Sequence, residues 1–307
     1  MSHSILRIKN SGYFEDDFNS LEESVLKSIP QINEYYLGET STDDRLIILS
    51  NTDIKMSSME QYQAQIDLII HPNSGYNNFT VEFTKNLNFP IIIGHELRKY
   101  AVTQYILTQL LKEFSYENQQ EWERFKIVRD KPMLKDSNVL IIGKGHIGLE
   151  LNSKLKHLVK KIDWYDPYKG HDTFSNLEQY DIVILCSSAN NKNMNLINQS
   201  FLEQCKEDVI VINPARGSLV DLDAMKSKCE RGSTYIVDVY PSEPFDLSLL
   251  SHPRIKTTSH IAGCYKDLTS NIIDFESRVI CDFFKDPSLK AYNDSKLSFK
   301  ILEGEFI

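Results

Sequence analysis

The sequence lacks the long hydrophobic runs and the excess of positive charge that mark two large classes of protein. No apolar run approaches the 18 or more residues of a membrane-spanning helix, and the start, MSHSILRIKN, has no apolar segment that would direct secretion. Against 34 Lys and Arg residues stand 43 Asp and Glu residues, so the net charge is −9. A general binder of nucleic acid backbones needs a basic face. We therefore expect neither a membrane nor a nucleic acid as a partner.

Cysteine is also scarce, with five residues among 307. The five are odd in number, widely spaced and without a C-x-x-C pair: Cys186, Cys205, Cys229, Cys264 and Cys281. A disulfide framework or a zinc knuckle would show tighter spacing. The pattern predicts reduced thiols, no metal centre and a cytoplasmic location.

Short apolar strands alternate with helical stretches along the whole chain, which is typical of an α/β protein with largely parallel sheets. The length predicts two domains. In the first hundred residues the expected strands are ILRI (5–8), LIIL (46–49), DLII (67–70) and PIII (90–93). Four such strands with intervening helices predict a compact, flavodoxin-like sheet. A long helix is expected from about Glu96 to Glu113, and a polar segment without a clear period follows it.

From Ser137 onward the alternation is more regular. The expected strands are NVLII (138–142), KIDWY (161–165), DIVILC (181–186), DVIVI (208–212), TYIVDV (234–239) and IKTTS (255–259). Runs that are apolar on both faces belong to a sheet that is covered on both sides. Six of them match the two mononucleotide-binding halves of a doubly wound, Rossmann-type parallel sheet.

A glycine pattern follows the first of these strands. Gly143, Gly145 and Gly148 form G-x-G-x-x-G between a strand and a helix, which is the context that a dinucleotide fingerprint requires. A diphosphate would bind at the helix N-terminus, where free N–H groups and the helix dipole favour an anion. Asp166 ends the next strand, 18 residues beyond Gly148. A carboxylate there accepts hydrogen bonds from ribose hydroxyls and repels a 2′-phosphate, so NAD is preferred to NADP.

Three reactive side chains follow the ends of later strands. Arg216 comes after DVIVI, Glu243 after TYIVDV, and His260 after IKTTS. Each alone has an ordinary interpretation, as a surface cation, a turn residue or a buried imidazole. Because the carboxyl ends of parallel strands meet at one edge of a sheet, their joint position beside the glycine motif predicts one catalytic crevice.

The sequence resembles the NAD-dependent D-isomer-specific 2-hydroxyacid dehydrogenases over nearly all of its length. The segments GKGHIG, YDP, INPARGSLVD, DVYPSEP and SHIAG stand in the family's order and at its spacing. HPNSGYNN is similar to the family's substrate loop, and AVTQYIL to the helix that crosses to its cofactor domain. The combination is specific, whereas each segment alone is not.

The resemblance implies a division into two domains. A substrate domain would comprise 1–100 and 287–307, and an NAD-binding domain with two crossover helices would comprise 101–286. The active site would lie in the cleft between them, and the protein would be a homodimer associated through its cofactor domain. The implied reaction is hydride transfer between NAD(H) and a small 2-hydroxy or 2-keto acid, with D stereospecificity.

The resemblance also implies the roles of the reactive residues. His260 would be the general acid and base, and Glu243 would favour its protonated form. Arg216 would hold the substrate carboxylate and polarise the carbonyl. The backbone N–H groups of Ser74 and Gly75 would bind the carboxylate from the other side. Leu97 would line the pocket for the substrate side chain.

The remaining implied contacts belong to the cofactor. The expected cofactor-binding residues are Gly143, Gly145, His146, Ile147, Gly148, Asp166, Cys186, Ser187, Ala215, Asp238 and Gly263. Among them, Asp238 would contact the nicotinamide carboxamide.

The sequence departs from the family at three places, the shortest of which is TTSH (257–260) where the family usually reads TTPH. Cys186 to Asn190 read CSSAN where the family commonly has His-x-Pro-x-Thr, so the cofactor affinity is in question. His95, Arg98 and Lys99 bring basic character to a stretch where the family often has Asn, Pro and small residues. One hypothesis is that they bind a second anionic group of the substrate. The other is that they are solvated residues at the start of a helix.

Other functions stay open at this stage. An NADH-responsive binding or co-repressor-like protein would keep the cofactor site without significant turnover. Formate enzymes carry Gln where this chain has Glu243, which disfavours them, whereas phosphite enzymes keep a similar Arg, Glu and His. A methyltransferase would explain the glycines but neither Arg216 nor His260.

Overall fold

The chain forms two compact units. The computed structural model describes residues 2–9, 17–52, 54–55, 57–76, 78–115, 132–174, 176–302 and 305–306. The first unit comprises Met1–Arg98 together with Cys264–Ile307, and the second comprises Lys99–Gly263. Both contain a parallel sheet flanked by helices, so the predicted α/β class is confirmed.

The first unit contains a five-stranded parallel sheet in the order β2-β1-β3-β4-β5. This order is that of flavodoxin-like sheets, the class that the sequence predicts, although the sequence indicated four of the five strands. Its strands are β1 (His3–Arg7), β2 (Ile32–Leu37), β3 (Arg45–Leu49), β4 (Ile66–His71) and β5 (Ile91–Ile93). The helices between these strands are α1 (Phe18–Leu26), α2 (Ser57–Glu60) and α3 (Val81–Lys85). A short antiparallel pair, β12 (Ile301–Leu302) and β13 (Glu305–Phe306), lies near the C-terminus.

The strands β1, β3 and β4 are buried on both faces, which explains their continuous apolar sequences. Strand β2 was missed by sequence reasoning because it lies at the sheet edge, where most of its side chains are partly or fully exposed. Its sequence, INEYYL, therefore lacks the apolar run that revealed the others.

The long helix α4 (Glu96–Glu113) has the bounds that the sequence predicts. Most of the polar segment predicted after it lies outside the described residues. The helix α8 (Leu268–Lys285) packs Phe275, Val279 and Ile280 against the sheet of the first unit. The segment 264–286 thus lies in the first unit, whereas the resemblance assigned it to the cofactor domain.

The second unit contains a six-stranded parallel sheet in the order β11-β10-β9-β8-β6-β7. Its strands are β6 (Asn138–Ile142), β7 (Lys161–Tyr165), β8 (Ile182–Leu185), β9 (Ile210–Asn213), β10 (Thr234–Val237) and β11 (Ile255–Thr257). The described part of this unit contains residues 99–113 of α4 and the helices α5 (His146–Leu155), α6 (Gln199–Glu203) and α7 (Leu222–Glu230).

The direction in which strands are added to this sheet reverses at β6, which pairs with β7 on one side and β8 on the other. In open α/β sheets, ligands bind at such a switch point, outside the carboxyl ends of the strands. Alternate residues of the central strands enter two separate cores, as Leu140 and Ile141 illustrate. In the part of the chain that the structure describes, no helix has the length and apolar character needed to cross a bilayer.

Candidate active site

A histidine and a glutamate form a hydrogen-bonded pair at the carboxyl edge of the second unit's sheet. The Nδ1 atom of His260 lies 2.6 Å from Glu243 Oε2. The other carboxylate oxygen, Oε1, accepts the Tyr240 N–H at 3.0 Å. Since a carboxylate accepts, Nδ1 of His260 carries the hydrogen in this pair. Both side chains are partly exposed, so Nε2 is the ring atom available for proton exchange with a ligand.

The backbone of His260 is held in an unusual conformation. Its φ of 56° lies in the left-handed region, which a non-glycine residue adopts at a cost of about 1–3 kcal/mol. The His260 N–H donates to the Asp238 carbonyl oxygen at 2.8 Å, which fixes the residue against the end of β10. The surrounding loop therefore determines the direction of the imidazole.

Asp238 organises that loop. Its side chain is fully buried, and its carboxylate accepts the N–H groups of Ile261 at 2.9 Å and Ala262 at 2.8 Å. It also accepts the Thr258 hydroxyl at 2.5 Å. These contacts flank His260 on both sides in the sequence. The predicted contact of Asp238 with the nicotinamide carboxamide stays a prediction.

Two tyrosines that sequence reasoning missed complete this network. The Tyr105 hydroxyl lies 2.8 Å from Thr258 Oγ1 and donates to it, because Thr258 uses its own hydrogen toward Asp238. The Tyr240 hydroxyl donates to the Thr258 carbonyl oxygen at 2.7 Å. Burial raises the pKa of both phenols to about 12, so both remain donors at neutral pH. Nothing local in the sequence signals these pairs, since Tyr105 and Thr258 are 153 positions apart.

Arg216 follows β9 at the same sheet edge and is half-buried. Its Nη1 donates to the Ala215 carbonyl oxygen at 2.6 Å, and its own carbonyl oxygen accepts from Asn213 at 2.9 Å. A Cβ on the next residue, Gly217, would lie 2.0 Å from the Tyr240 carbonyl carbon. The Arg216 loop therefore packs directly on the segment that leads to Glu243.

The glycine motif lies between β6 and α5, as the sequence predicts. Gly143 has a φ of +102°, which favours glycine, and a Cβ on it would lie 2.6 Å from the Ser187 nitrogen. A Cβ on Gly148 would lie 2.2 Å from the Gly143 carbonyl oxygen. By contrast, a Cβ on Gly145 would meet no atom within 4 Å. The two outer glycines are thus required by packing, whereas the space before Gly145 is open to a ligand.

The surroundings of the motif fit a dinucleotide. Helix α5 begins at His146 without a capping hydrogen bond from a side chain, so its N-terminus can receive a diphosphate. In the described part of the chain, the Ser187 hydroxyl oxygen is buried and has no hydrogen-bond partner. A cofactor atom could satisfy it. Burial raises the pKa of the neighbouring Cys186 thiol to about 12, so that residue is not a nucleophile.

Asp166 lies beside the glycine motif at the end of β7. Its Oδ2 accepts the Lys144 N–H at 2.7 Å, which joins it to the loop between Gly143 and Gly145. The remaining cofactor candidates of this unit, His146, Ile147, Ala215 and Gly263, are all partly exposed.

The substrate-loop residues lie in the first unit. Ser74 and Gly75 follow β4, and the buried Ser74 hydroxyl oxygen has no hydrogen-bond partner among the described residues. Leu97, in the first turn of α4, is half-buried in the cores of this unit. A buried histidine at the end of β4, His71, contacts the Gly75 carbonyl oxygen at 2.7 Å, and sequence reasoning did not identify it.

The three basic candidates near the start of α4 differ in their burial and in their contacts. His95 is buried with an exposure of 8%. Arg98 is half-buried and donates through Nη1 to the Pro72 carbonyl oxygen at 2.6 Å. Lys99 belongs to the second unit, where its ammonium lies 4.9 Å from the centre of the Tyr100 ring.

The chain is similar to known dehydrogenases in sequence. It is 28% identical to an erythronate-4-phosphate dehydrogenase of Blochmanniella floridana over 266 residues, which cover 78% of this chain and 65% of the relative. It is 24% identical to a D-3-phosphoglycerate dehydrogenase of Bacillus subtilis over 279 residues, which cover 83% and 52%. The chain thus spans between about half and two thirds of the length of these relatives.

Solved structures share the fold. A D-lactate dehydrogenase from Aquifex aeolicus, complexed with NAD and lactic acid, aligns with a TM-score of 0.71 and 16% identity, over 96% of this chain and 99% of that one. A D-2-hydroxyisocaproate dehydrogenase aligns with a TM-score of 0.70 and 20% identity over the same shares.

The family assignment comes from the sequence of the second unit. Residues 105–262, about half of the chain, match the family described as "D-isomer specific 2-hydroxyacid dehydrogenase, NAD binding domain". The match contains the glycine motif and all three reactive side chains. The chain therefore belongs to the D-isomer specific 2-hydroxyacid dehydrogenase family, and residues 105–262 are its NAD-binding domain.

Proposed function

We propose that this protein is an NAD-dependent oxidoreductase that interconverts small 2-keto acids and D-2-hydroxy acids. The observation that carries the proposal is the 2.6 Å hydrogen bond between His260 and Glu243, at the carboxyl edge of a sheet with a dinucleotide motif. The pair leaves one imidazole nitrogen for proton exchange, which the carbonyl oxygen of a keto acid requires on reduction.

NAD(H) would supply or accept the hydride, and the chain's own residues would bind the substrate and transfer the proton. His260, protonated, would donate the Nε2 proton to the carbonyl oxygen of the keto acid. Its Nδ1–H would stay with the Glu243 carboxylate, whose negative charge stabilises the imidazolium. In the oxidative direction the neutral Nε2 would take the proton from the hydroxyl group.

Arg216 is proposed to hold the substrate carboxylate, because a planar guanidinium binds a planar carboxylate through two parallel hydrogen bonds. Its positive charge would also stabilise negative charge that develops on the carbonyl oxygen. The N–H groups of Ser74 and Gly75 are proposed as further carboxylate ligands, and Leu97 as part of the side-chain pocket.

The cofactor would be held mainly by the switch-point loops. The open space at Gly145 and the N-terminus of α5 suit the diphosphate, and Asp166 suits the ribose hydroxyls. The Ser187 hydroxyl would gain a hydrogen-bond partner. The other proposed contacts are His146, Ile147, Cys186, Ala215, Asp238 and Gly263.

The substrate is proposed to be a 2-keto acid that carries a phosphate. Several similar sequences are named for phosphorylated acids, erythronate 4-phosphate and 3-phosphoglycerate. The first unit also presents Arg98 next to the substrate loop, although this guanidinium already binds Pro72. Unphosphorylated acids such as pyruvate are the competing possibility.

We further propose a homodimer associated through the second unit. Large apolar side chains on its helices are exposed, and a partner subunit could cover them: Tyr100 is exposed by 62%, Leu111 by 48% and Leu149 by 49%. Sedimentation velocity at micromolar concentration would detect the dimer, and Leu111→Glu is expected to weaken it. A monomer at all concentrations would refute this part. The cytoplasmic location stays a prediction from the cysteine pattern.

The activity is tested by following NADH absorbance with a panel of keto acids. The panel contains glyoxylate, pyruvate, hydroxypyruvate, 2-ketoglutarate and 2-keto-3-hydroxy-4-phosphobutanoate. His260→Gln is expected to lower kcat by about 10²–10⁴-fold. His252→Gln, in a loop of the same unit, is the matched control and should retain full activity. NADH binding without turnover of any acid would refute the proposal and favour an NADH-responsive binding protein.

A further inference from the structure

A buried histidine connects two strand ends of the first unit to the loop that follows them. His71 ends β4 and has no exposed surface. Its Nδ1 lies 2.8 Å from the hydroxyl oxygen of Ser50, the residue after β3, and its Nε2 lies 2.7 Å from the Gly75 carbonyl oxygen. The ring also packs edge-on against Phe79, with 5.1 Å between the ring centres. It therefore has one defined position.

The direction of both hydrogen bonds follows from their chemistry. A carbonyl oxygen can only accept, so Nε2 of His71 carries a hydrogen and donates it to Gly75. In a neutral imidazole Nδ1 then accepts, and the Ser50 hydroxyl donates to it. Burial lowers the pKa of His71 to about 4, so the ring is neutral at physiological pH. Ser50 thus selects the tautomer that can bind Gly75.

The same loop is held at its other end. Arg98 donates to the Pro72 carbonyl oxygen at 2.6 Å, three residues before the carbonyl that His71 binds. Between these two tethers lies the Ser74–Gly75 peptide. The tethers engage backbone carbonyl groups, so they act on the conformation of the loop.

We propose that His71 is a positioning residue, which holds the Ser74–Gly75 peptide in the orientation that receives the substrate carboxylate. The inference rests on the proposed function, since that function assigns the carboxylate to these N–H groups. Both ring nitrogens of His71 are hydrogen-bonded, to Ser50 and to Gly75, so His71 acts through the loop and exchanges no proton with the substrate. A loop ordered in advance loses less conformational entropy when the acid binds.

The consequence is an effect on binding. A tether that is equally intact in the ground state and the transition state changes KM and leaves kcat nearly constant. His71→Asn keeps an amide near Nδ1 and loses the donor to Gly75, so KM for the keto acid is expected to rise about tenfold, as the loss of one hydrogen bond permits. His71→Gln places an amide donor near Nε2 and is expected to restore most of the affinity.

Ser50→Ala tests the same bridge without changing the imidazole. It removes the hydroxyl that selects the tautomer, and KM is expected to rise about threefold, in the lower range for one hydrogen bond. Ser4→Ala is the matched control. Ser4 is also fully buried, on the neighbouring strand β1, and its hydroxyl binds Asp44. The KM of Ser4→Ala for the keto acid should equal that of the wild type.

A second measurement does not depend on turnover. Hydrogen exchange of the amides at 73–76 is followed by mass spectrometry without ligand, and oxamate is titrated into the NADH complex. In His71→Asn and Ser50→Ala, we expect these amides to exchange faster and oxamate to bind more weakly than in the wild type, with unchanged affinity for NADH. Ser4→Ala should match the wild type in all three measurements.

The outcomes separate the two proposals. If no acid is turned over but the loop amides exchange faster in both variants, the tether exists and the proposed function fails. Wild-type exchange in both variants would overturn the inference, as would a fall in kcat with unchanged KM. If His71→Asn does not fold, Ser50→Ala and His71→Gln decide in the same way.

Discussion

The first unit contains a buried cluster of one basic and two acidic side chains. Arg7 donates to Glu22 through Nε at 2.6 Å and through Nη2 at 2.5 Å, and Nη2 also lies 2.6 Å from Glu276. All three side chains are fully buried, and Tyr35 donates to Glu22 at 2.6 Å. One cation and two carboxylates would leave an uncompensated buried charge, so we predict that Glu276 carries a proton. Glu276→Gln tests this prediction.

The sign of the effect follows from the pKa of Glu276. Burial raises this pKa well above the usual 4.5, Arg7 lowers it, and Glu22 raises it further. Above pH 4.5 the unfolded state releases the proton while the folded state keeps it. The free energy of unfolding of the wild type should therefore fall by about 1.4 kcal/mol per pH unit from this group, until the pH reaches the folded-state pKa. Glutamine stays neutral, so the free energy of unfolding of Glu276→Gln lacks this decrease. Relative to the wild type, the variant therefore becomes more stable as the pH rises.

The assay must report on the first unit. Trp164 lies on β7 in the second unit, so its fluorescence would follow that unit. Native-state hydrogen exchange of the buried amides at Ile5 and Leu6 follows β1 directly. We expect the opening free energy of Glu276→Gln, relative to wild type, to increase between pH 5 and pH 8. A constant difference over this range would refute the reasoning.

Glu22→Gln is the informative contrast in the same cluster. It removes the carboxylate that binds Arg7 twice and Tyr35 once. Breaking a buried ion pair from one side costs about 3–5 kcal/mol, although ionisation of Glu276 would compensate for part of it. A smaller loss for Glu22→Gln than for Glu276→Gln at pH 7 would mean that the proton lies on Glu22.

Three further predictions concern the second unit. Gly145→Ala should weaken NADH binding in a fluorescence titration and leave the melting temperature unchanged, because its Cβ meets open space. Gly148→Ala should lower the free energy of unfolding in urea by about 1–3 kcal/mol, because its Cβ would lie 2.2 Å from the Gly143 carbonyl oxygen. Equal stabilities of the two variants would contradict the packing argument. Glu243→Gln should lower kcat by about tenfold or more in the NADH assay, since an amide cannot stabilise the imidazolium, and an unchanged kcat would remove the proposed role. Asp238→Asn should lower stability to urea by about 2–4 kcal/mol and also lower kcat, because an amide cannot accept from both backbone N–H groups of the loop; full stability would show that the loop is held otherwise.

The strands of both sheets could be predicted because burial on two faces leaves continuous apolar runs in the sequence. Their ends were less predictable. The run TYIVDV suggested a strand to residue 239, but β10 ends at Val237 and the next residue turns its carboxylate into the His260 loop. Because Asp238 stands between two valines, the local sequence does not distinguish it from a residue of the strand. Only the position of its partners, twenty or more residues away, reveals the difference.

The positions of the candidate residues in the fold were predictable to a similar extent, whereas their roles stay a prediction. The glycine motif and the Arg, Glu and His residues follow strand ends, so one rule about parallel sheets was enough to group them. The assignment of 264–286 differed because an amphipathic helix shows only that it has an apolar face. Which sheet covers that face depends on contacts such as those of Phe275 and Ile280 with the first unit.

The residues that position the site were not predictable, and the reason is physical. A reacting group must have a particular chemistry, so its residue type is informative wherever it occurs in the chain. A positioning group needs only a donor or acceptor at the right point, which many residue types supply. Tyr105, Thr258 and His71 are ordinary until the fold brings their partners within 2.8 Å or less. It follows that substitutions at these positions should alter the affinity and the geometry of the site more than its reaction type, which is the pattern that the His71 variants test.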